Sequence, residues 1–383
     1  MDFFDTFFSE SDQMVRETAT AFARKEIRPF AFEWEEAGEF PRALYKKAAA
    51  AGLLGVGIEP EFGGSGGGAM TMVAAVEGLM QGGSMGVAAG LGSLGIGLPP
   101  ILQSNDGALI DRYARTALAG EKICGLAITE PDTGSDVAAI ATKATDCGDF
   151  YEVTGAKTFI TSGVRADFLT TLVRTGADPH GGLTFLVIDM DLEGVSRSKP
   201  LKKHGWCASD TATISFQAVK VPKSNRAGAE GSAFLTLMGN FQSERLALAA
   251  YGIATAELAL EESLRYVQER QAFGRPLVGF QVTRHKLVDM KTQLMAVKTF
   301  VYQVATQVDL GRFMVAEVSM AKNLAAKLAV DVCYEAVQLH GGMGYMRETL
   351  VERLSRDARL LPIGGGSQEI MKEIISRQMG LSR

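Results

Sequence analysis

The chain has 383 residues, of which 46% are hydrophobic and 22% are charged, and its formal net charge is -5 at pH 7. This composition is typical of a soluble globular protein of two or three domains and excludes general disorder. The negative charge argues against a broad nucleic-acid-binding face, and four scattered cysteines without a CxxC spacing require neither disulfides nor zinc.

The acidic start MDFFDTFFSESD has neither the basic and apolar regions of a secretory signal nor the Arg-rich character of a transit peptide. We therefore expect a cytoplasmic protein, or a mitochondrial matrix protein if a transit peptide has been removed. No stretch approaches the roughly 20 apolar residues that a membrane span needs, so we expect no such span.

Residues 1–120 predict an N-terminal helical domain. The segment SESDQMVRETATAFARKEIRPF begins with the cap-forming residues Ser9 and Ser11 and places Met14, Phe22 and Ile27 near one helix face. The motif GLGSLG, residues 90–95, matches the GxGxxG pattern of dinucleotide-binding sites but lies inside this helical region. Because that pattern requires a preceding strand, helix packing explains it better.

Residues 121–225 predict a middle β domain. Short runs rich in Val, Ile, Phe and Thr, such as LTFLVIDM and TATISFQAVKVP, alternate with turn residues, and no long helical pattern separates them. This spacing favours an antiparallel sheet or barrel over a parallel doubly wound sheet.

Residues 226–383 return to a helical pattern, with helices predicted over about 281–310, 314–339 and 367–378. The chain is therefore predicted to be α+β, with a helical domain, a small sheet and a C-terminal four-helix bundle. The four histidines show no metal-ligand spacing, and neither HExxH nor Gly-x-Ser-x-Gly occurs, so metal and serine-hydrolase sites are disfavoured.

Three segments could carry chemistry. LAITEPDTGSD, residues 126–136, ends a strand in a turn that could bind a heterocycle or a phosphate, or could be a plain capped turn. In KTFITSG, Phe159 could pack on a ring system and Thr161 could donate a hydrogen bond, although Phe159 could equally belong to the core. QLHGGMGYMRE, residues 338–348, could hold a pyrophosphate with Arg270 as a countercharge, or could be a helix C-cap.

Together these segments resemble the acyl-CoA dehydrogenase family. LAITEPDTGSD and the pair QLHGGMGYMRE and RDARLLPIGGGSQEI look like the two signature regions of the family, with KTFITSG and ERQAFG in order between them. The resemblance spans nearly the whole chain, and the helix–sheet–helix order is similar to the fold of the family.

The resemblance implies an FAD cofactor between the sheet and the bundle. In such proteins residues 126–135 and 159–161 flank the flavin ring, Arg270 and the residues near it approach the dinucleotide from a neighbouring subunit, and residues 367–369 cap the cofactor at a helix N-terminus. The implied FAD contacts are Leu126, Ile128, Thr129, Ser135, Phe159, Ile160, Thr161, Arg270, Phe273, Gln281, Gln338, Gly341, Gly342, Ser367 and Glu369. The implied contacts with an acyl-CoA substrate are Ser135, Gln242, Arg245 and Gly365.

The catalytic carboxylate is the point at which this chain departs from most relatives. They carry a Glu in a loop that reads Glu-Gly-Thr, where this chain has Gly365. A minority, including isovaleryl- and long-chain-type enzymes, carry the carboxylate on a bundle helix in a pattern similar to Ser243-Glu244-Arg245. Glu244 is therefore the candidate base, although without the resemblance a surface Glu beside Arg245 would be the preferred interpretation.

The resemblance thus implies FAD-dependent dehydrogenation of an acyl-CoA to the trans-2-enoyl-CoA, with electrons passed to an electron-transfer flavoprotein. A Gly at 365 would leave room for Glu244 or for a branched, long or bulky acyl group, and a homotetramer (or homodimer) is expected. One alternative is a flavin monooxygenase on the same scaffold, which would not need Glu244. Another is a non-catalytic acyl-CoA-binding protein.

Overall fold

The computed structural model describes residues 3–381, which form a helical region, a sheet and a second helical region. The helices of the first region are α1 (Glu10–Glu26), α2 (Ala31–Ala37), α3 (Ala43–Ala50), α4 (Ala69–Met80), α5 (Met85–Gly92), α6 (Leu94–Gly97), α7 (Pro99–Gln103), α8 (Gly107–Leu109) and α9 (Thr116–Leu118). Ser9 and Asp12 form a capping box that starts α1, since each side chain accepts a hydrogen bond from the backbone N–H of the other. Phe22 and Ile27 are buried as predicted, but Met14 is 67% exposed because the buried face of α1 is formed by Ala19, Phe22 and Ala23.

The stretch Met85–Gln103, which contains α5 to α7, is 19 residues long and has a mean hydropathy of 1.5. By length and composition it could cross a membrane, so the expectation that no stretch is long enough was wrong. However, 72% of it is buried inside the protein, as in a core helix of a soluble protein. It packs against the long helix that begins the second helical region.

The middle region folds into an open eight-stranded sheet. Its strands are β1 (Cys124–Ala127), β2 (Lys143–Asp146), β3 (Phe150–Thr161), β4 (Phe168–Arg174), β5 (Leu183–Asp189), β6 (Val195–Arg197), β7 (Thr211–Pro222) and β8 (Arg226–Ala227). The order is β6-β7-β3-β2-β4-β5-β8, with β1 paired to β4.

The sheet is mixed and not closed, which corrects the predicted antiparallel sheet or barrel. β1 pairs with β4 in parallel over Cys124–Phe168 to Ala127–Thr171, and β2 meets β4 in parallel at Lys143–Arg174. Parallel neighbours need a long connection, which the β2–β3 hairpin provides between β1 and β4. Since side chains alternate identically in both kinds of ladder, strand composition could not reveal the direction.

The second helical region contains α10 (Ala233–Glu269), α11 (Gln281–Asp309), α12 (Val315–His340), α13 (Leu350–Ala358) and α14 (Gln368–Gln378), with a short hairpin of β9 (Gln271–Ala272) and β10 (Arg275–Pro276) after α10. α10, α11 and α12 pack on one another and α14 packs on α12, which gives the predicted four-helix arrangement. α10 also packs on α4, and one hydrophobic cluster runs through both helical regions. α10 therefore lies between the two helical regions and carries the residues described next.

Candidate active site

The loop between α13 and α14 requires glycine at two successive positions. Gly365 and Gly366 have φ angles of +65° and +99°, in the left-handed region where side chains are strained. A Cβ at Gly365 would lie 2.4 Å from Leu248 Cδ1, and one at Gly366 would lie 2.7 Å from Met371 Cε. The glycines therefore allow the loop backbone to lie directly against α10 and α14.

Glu244 reaches this loop from α10. Its Oε1 lies 3.6 Å and its Cδ 3.8 Å from the position that a Cβ of residue 365 would occupy. Glu244 is half-buried, and among residues 3–381 its carboxylate has no hydrogen bond or ion-pair partner. An unpaired carboxylate therefore lies next to the position where the side chain of a non-glycine residue 365 would begin.

The electrostatic surroundings favour the protonated form of Glu244. Burial raises the pKa of this carboxyl above its ordinary value, against the opposing charges of Arg245 and Lys322. Arg245 Nε donates to the Gly365 carbonyl at 3.3 Å, and Lys322 Nζ on α12 donates to the Gly366 carbonyl at 2.7 Å. The two cations thus hold the loop backbone and leave the carboxylate free.

Phe159 is displayed by a bulge in β3. The β3–β7 register shifts between Lys157–Ile214 and Ile160–Ala212, so that two residues of β3 oppose one residue of β7. Phe159 adopts a φ of +59°, and 69% of its surface is exposed, while Ile160 is buried. The strained backbone and the bare aromatic ring make Phe159 a surface for stacking and not a core residue.

A buried ion pair fixes the turn after β1 next to this bulge. Lys157 is fully buried, and its Nζ donates to Glu130 Oε1 at 2.8 Å and to the Ile128 carbonyl at 2.9 Å. Although burial opposes it, the Lys157 ammonium holds the pKa of Glu130 below its ordinary value, helped by N–H donors from residues 141 and 142. The Thr158 N–H donates to the Thr129 carbonyl at 2.8 Å, so the implied contacts near Thr129 and Phe159 share one sheet edge.

A second group of implied contacts lies at the other end of α10. A shallow cavity of about 590 Å³ is lined by Tyr266, Arg270, Leu277, Leu339, His340, Gly341, Gly342, Met343 and Met346. The His340 Nδ1 donates to the Ala336 carbonyl at 2.7 Å, and its buried Nε2 has no partner within residues 3–381. Phe273, which is 95% exposed, and the exposed Gln281 and Gln338 lie in the segments that adjoin this cavity.

Within one chain the structure does not bring the residues around Glu244 and the residues around Arg270 together. Glu244 lies near the start of α10 and Arg270 just after its end, and 25 helical residues span about 38 Å at 1.5 Å per residue. Glu244, Arg245, Gly365 and Ser367, which caps α14, are close together in one group, whereas Arg270, Gly341 and Gly342 form the other.

The remaining implied residues are placed as follows. Leu126 is half-buried on β1, Ile128 is buried, Ser135 is exposed in the turn before β2, and Thr161 is half-buried at the end of β3. Gln242 is half-buried on α10, and its Oε1 has no partner within residues 3–381. Glu369 is exposed in the first turn of α14, where a lowered pKa, caused by hydrogen bonds from its own N–H and from Ser367, keeps it ionised.

Two residues of the site were not found from the sequence. Leu248 fills the space beside Gly365, but it looks like any core residue of a helix. Lys322 is fully buried, and burial lowers its pKa to about 8. A cation three residues after Ser319 and three before Ala325, both buried on α12, was the signal that could have revealed it.

The residues present fit an FAD cofactor. An exposed aromatic ring lies at the sheet edge, unpartnered polar groups occur at Gln242 and His340, and a Cβ at Gly341 or Gly342 would meet no atom within 4 Å, which leaves open space for a ligand against this turn. Phe159 and Thr161 would hold the ring, and Ser367 with the α14 N-terminus would face anionic oxygen. Within residues 3–381 no cluster of three or more His, Cys, Asp or Glu side chains could hold a metal ion.

Comparison with known proteins agrees with this assignment. Models of the N-terminal, middle and C-terminal domains of acyl-CoA dehydrogenases match residues 9–121, 125–219 and 232–380. The chain is 35% identical to a 3-(aryl)acrylate reductase of Clostridium sporogenes (97% of this chain, 99% of the relative) and 35% identical to the mitochondrial long-chain specific acyl-CoA dehydrogenase of Rattus norvegicus (97% and 87%). A solved structure of a probable acyl-CoA dehydrogenase from Mycobacterium abscessus is 48% identical and superposes with a TM-score of 0.96, covering 98% of this chain and 100% of that chain. This protein therefore belongs to the acyl-CoA dehydrogenase family and is an FAD-dependent oxidoreductase that dehydrogenates acyl-CoA thioesters.

Proposed function

We propose that Glu244 is the catalytic base of this dehydrogenase and that its substrate is a long, branched or otherwise bulky acyl-CoA. The observation that supports the first part is the position of the Glu244 carboxylate, 3.6 Å from the missing Cβ of Gly365. The Glu244 carboxylate on α10 thus lies within side-chain reach of the loop position that carries the carboxylate in most relatives, which supports the proposal.

Glu244 is suited to remove the α-proton of a thioester. Because its carboxylate has no partner and burial raises its pKa toward the working range, it gains a proton readily once ionised. The proton on the α-carbon passes to Glu244, a hydride leaves the β-carbon, and the two carbons become doubly bonded. Bound FAD supplies the acceptor for that hydride.

The Gly365 amide is suited to assist this step. Its N–H donates to no acceptor in the described part of the chain, while its carbonyl is fixed by Arg245. A free N–H next to the base can donate to the thioester carbonyl and stabilise the negative charge that develops there. Glycine at this position therefore provides a backbone donor and space for the base.

Gly92 and Gly95 support a bulky substrate, whereas Gly365, the position that the sequence suggested, does not. The volume beside Gly365 is filled by Leu248 and Glu244, so it offers no room for an acyl chain. On α5 and α6, Gly92 and Gly95 are exposed although their neighbours Leu91 and Leu94 are buried, and a Cβ at Gly95 would meet no atom within 4 Å. A strip without side chains beside α10 supports a long or thick acyl group.

The assembly is also part of the proposal. Since the group of Glu244 and Ser367 and the group of Arg270 are separated by most of α10, one FAD that contacts both Ser367 and Arg270 would contact them on two copies of the chain. We therefore propose a homo-oligomer, of four copies by family resemblance, that passes electrons to an electron-transfer flavoprotein. An Arg270→Ala variant mixed with a Glu244→Gln variant should regain activity if the sites are shared, and no recovery on mixing would contradict a shared site.

The decisive experiment compares Glu244→Gln with Glu373→Gln, a matched change at an exposed carboxylate on α14. Both variants should keep the flavin spectrum, but only Glu244→Gln should lose turnover, by about 10²- to 10⁴-fold. Full activity of Glu244→Gln would refute the assignment. Product formation that requires oxygen but no acyl-CoA would favour the monooxygenase, and acyl-CoA binding without anaerobic flavin bleaching would favour a non-catalytic protein.

The substrate proposal is tested by anaerobic flavin bleaching with a panel of acyl-CoAs, from butyryl-CoA to palmitoyl-CoA and including branched chains. Long or branched chains should reduce the flavin with the largest rate constants. A preference for butyryl-CoA would contradict a bulky substrate while leaving the role of Glu244 intact.

A further inference from the structure

The hydroxyl group of Tyr251 has no hydrogen-bond partner within residues 3–381 and is not fully enclosed by protein. Tyr251 lies on α10 with 6% of its surface exposed, and its hydroxyl makes no hydrogen bond within residues 3–381. Other buried tyrosines of this chain are paired: Tyr45 donates to the Gly90 carbonyl at 3.0 Å and Tyr113 to Asp189 at 2.7 Å. Hydroxyl groups of buried side chains normally have partners, so the unpaired hydroxyl of Tyr251 is available to a ligand.

Tyr251 lies on the same face of α10 as the proposed base. Residues seven positions apart on a helix nearly align, so Glu244, Leu248 and Tyr251 form one stripe. Seven residues advance a helix by roughly 10 Å. Tyr251 thus lies roughly 10 Å further along α10 than the proposed base Glu244, in the direction in which an acyl group would extend.

The segment that faces this stripe contains two glycines, Gly92 and Gly95. A Cβ at Gly92 would lie 3.1 Å from the Tyr251 hydroxyl, while a Cβ at Gly95 would meet no atom within 4 Å. At the other end of the same segment, Gln103 Nε2 donates to Asn240 Oδ1 at 3.3 Å, one turn before Glu244. The stretch Met85–Gln103 therefore runs antiparallel to α10, and the open space at Gly95, next to Gly92 and Tyr251, is termed the slot.

The slot favours a neutral oxygen over a charged group. Burial alone raises the pKa of Tyr251, and no charged group of residues 3–381 contributes to this shift, so the hydroxyl keeps its proton and offers no positive charge to a carboxylate. An aliphatic chain would leave the hydroxyl unpaired when it displaces water, whereas a ketone or hydroxyl oxygen would satisfy it.

We propose that the Tyr251 hydroxyl is a specificity-determining contact that binds an oxygen on the distal part of the acyl group. This inference rests on the proposed function, because the roughly 10 Å along α10 is counted from Glu244 as the base. Carbon–carbon bonds of about 1.5 Å advance a staggered chain by about 1.25 Å each, so roughly 10 Å corresponds to about eight carbons beyond the α-carbon. The substrate class is an acyl-CoA that carries a ketone or a hydroxyl group at that distance, and the Gly92–Gly95 strip leaves room for the thickness of a substituted chain.

The test compares 9-oxodecanoyl-CoA and 10-hydroxydecanoyl-CoA with decanoyl-CoA on the FAD-loaded enzyme. The wild-type protein should prefer an oxygenated chain by roughly 10- to 100-fold in kcat/KM. Tyr251→Phe should abolish this ratio, whereas Tyr334→Phe, a matched change at a tyrosine that is 66% exposed on α12, should preserve it. Gly92→Ala, which places a methyl group against the Tyr251 hydroxyl, should lower kcat/KM for all three ten-carbon substrates more than for butyryl-CoA.

Binding measurements separate this inference from the proposed function. Dissociation constants of the same acyl-CoAs are measured by calorimetry on the holo Glu244→Gln protein, with and without Tyr251→Phe. If no acyl-CoA bleaches the wild-type flavin but the binding preference for the oxygenated chains depends on Tyr251, the proposed function fails and this inference stands. If turnover is normal but the ratio is the same with Phe at position 251, or if decanoyl-CoA is preferred, the inference is overturned.

Discussion

Replacing Gly365 by Ala tests whether the loop and α10 are in direct contact, on which the placement of Glu244 depends. The new Cβ would lie 2.4 Å from Leu248 Cδ1, and the residue would keep a φ of +65°. A left-handed φ costs a non-glycine residue about 1–2 kcal/mol and overpacking about 1–3 kcal/mol, so the free energy of unfolding should fall by about 2–5 kcal/mol.

A second substitution separates the two contributions. Leu248→Ala alone should cost about 2–5 kcal/mol, because it empties a buried position. In the double variant the clash is gone, and Gly365→Ala should then cost only the backbone strain. The two changes should therefore couple favourably by about 1–3 kcal/mol.

The assay is urea unfolding of the FAD-loaded protein, followed by tryptophan and flavin fluorescence at one fixed FAD concentration. Gly107→Ala is the matched control, since a Cβ there would meet no atom within 4 Å and its φ is ordinary; its stability should change by less than about 0.5 kcal/mol. Unchanged stability of Gly365→Ala, or strictly additive losses in the double variant, would refute the contact and with it the position of Glu244 beside the loop.

Three further predictions follow from single side chains. Because burial raises the pKa of Glu244, the folded state favours its protonated form and loses stability as the pH rises through that raised pKa. Glu244→Gln should therefore have a higher Tm than the wild-type protein at pH 8, and this difference in Tm should shrink toward about pH 4.3. A difference in Tm that grows on acidification would contradict the raised pKa. Glu130→Gln should lose about 3–5 kcal/mol in urea unfolding, since it leaves the fully buried Lys157 without its carboxylate, and a loss below about 1 kcal/mol would show that the pair does not hold the turn. Ser9→Ala should lower stability by about 0.5–2 kcal/mol by removing the capping box of α1, whereas an equal effect of Ser11→Ala would point away from the cap.

Features that depend on neighbours along the chain could be predicted from the sequence. The helix–sheet–helix order, the cap at Ser9 and three of the C-terminal helices follow from periodicity and end signals that act within a few residues. The resemblance of ordered motifs identified the family and FAD. It also made Glu244 the candidate base, although the residues next to Glu244 suggest an ordinary surface side chain. By contrast, Met14 was assigned to the buried face of α1 because periodicity does not reveal which side a partner helix will cover.

Tertiary structure alone decided which distant residues meet. The carboxylate of Glu244 and the backbone of Gly365 come together because α10 and the α13–α14 loop pack, although Arg245 and the carbonyl it binds are 120 positions apart. The sheet became mixed because β1 lies parallel to β4, which no strand pattern encodes. The close approach of Gly92 to the Tyr251 hydroxyl likewise exists only because two helices face each other. The sequence by itself thus determined the secondary-structure elements and the family. Packing determined the relative direction of the strands, the burial of individual side chains and the proximity of distant residues, since these arise from contacts between segments that are far apart along the chain.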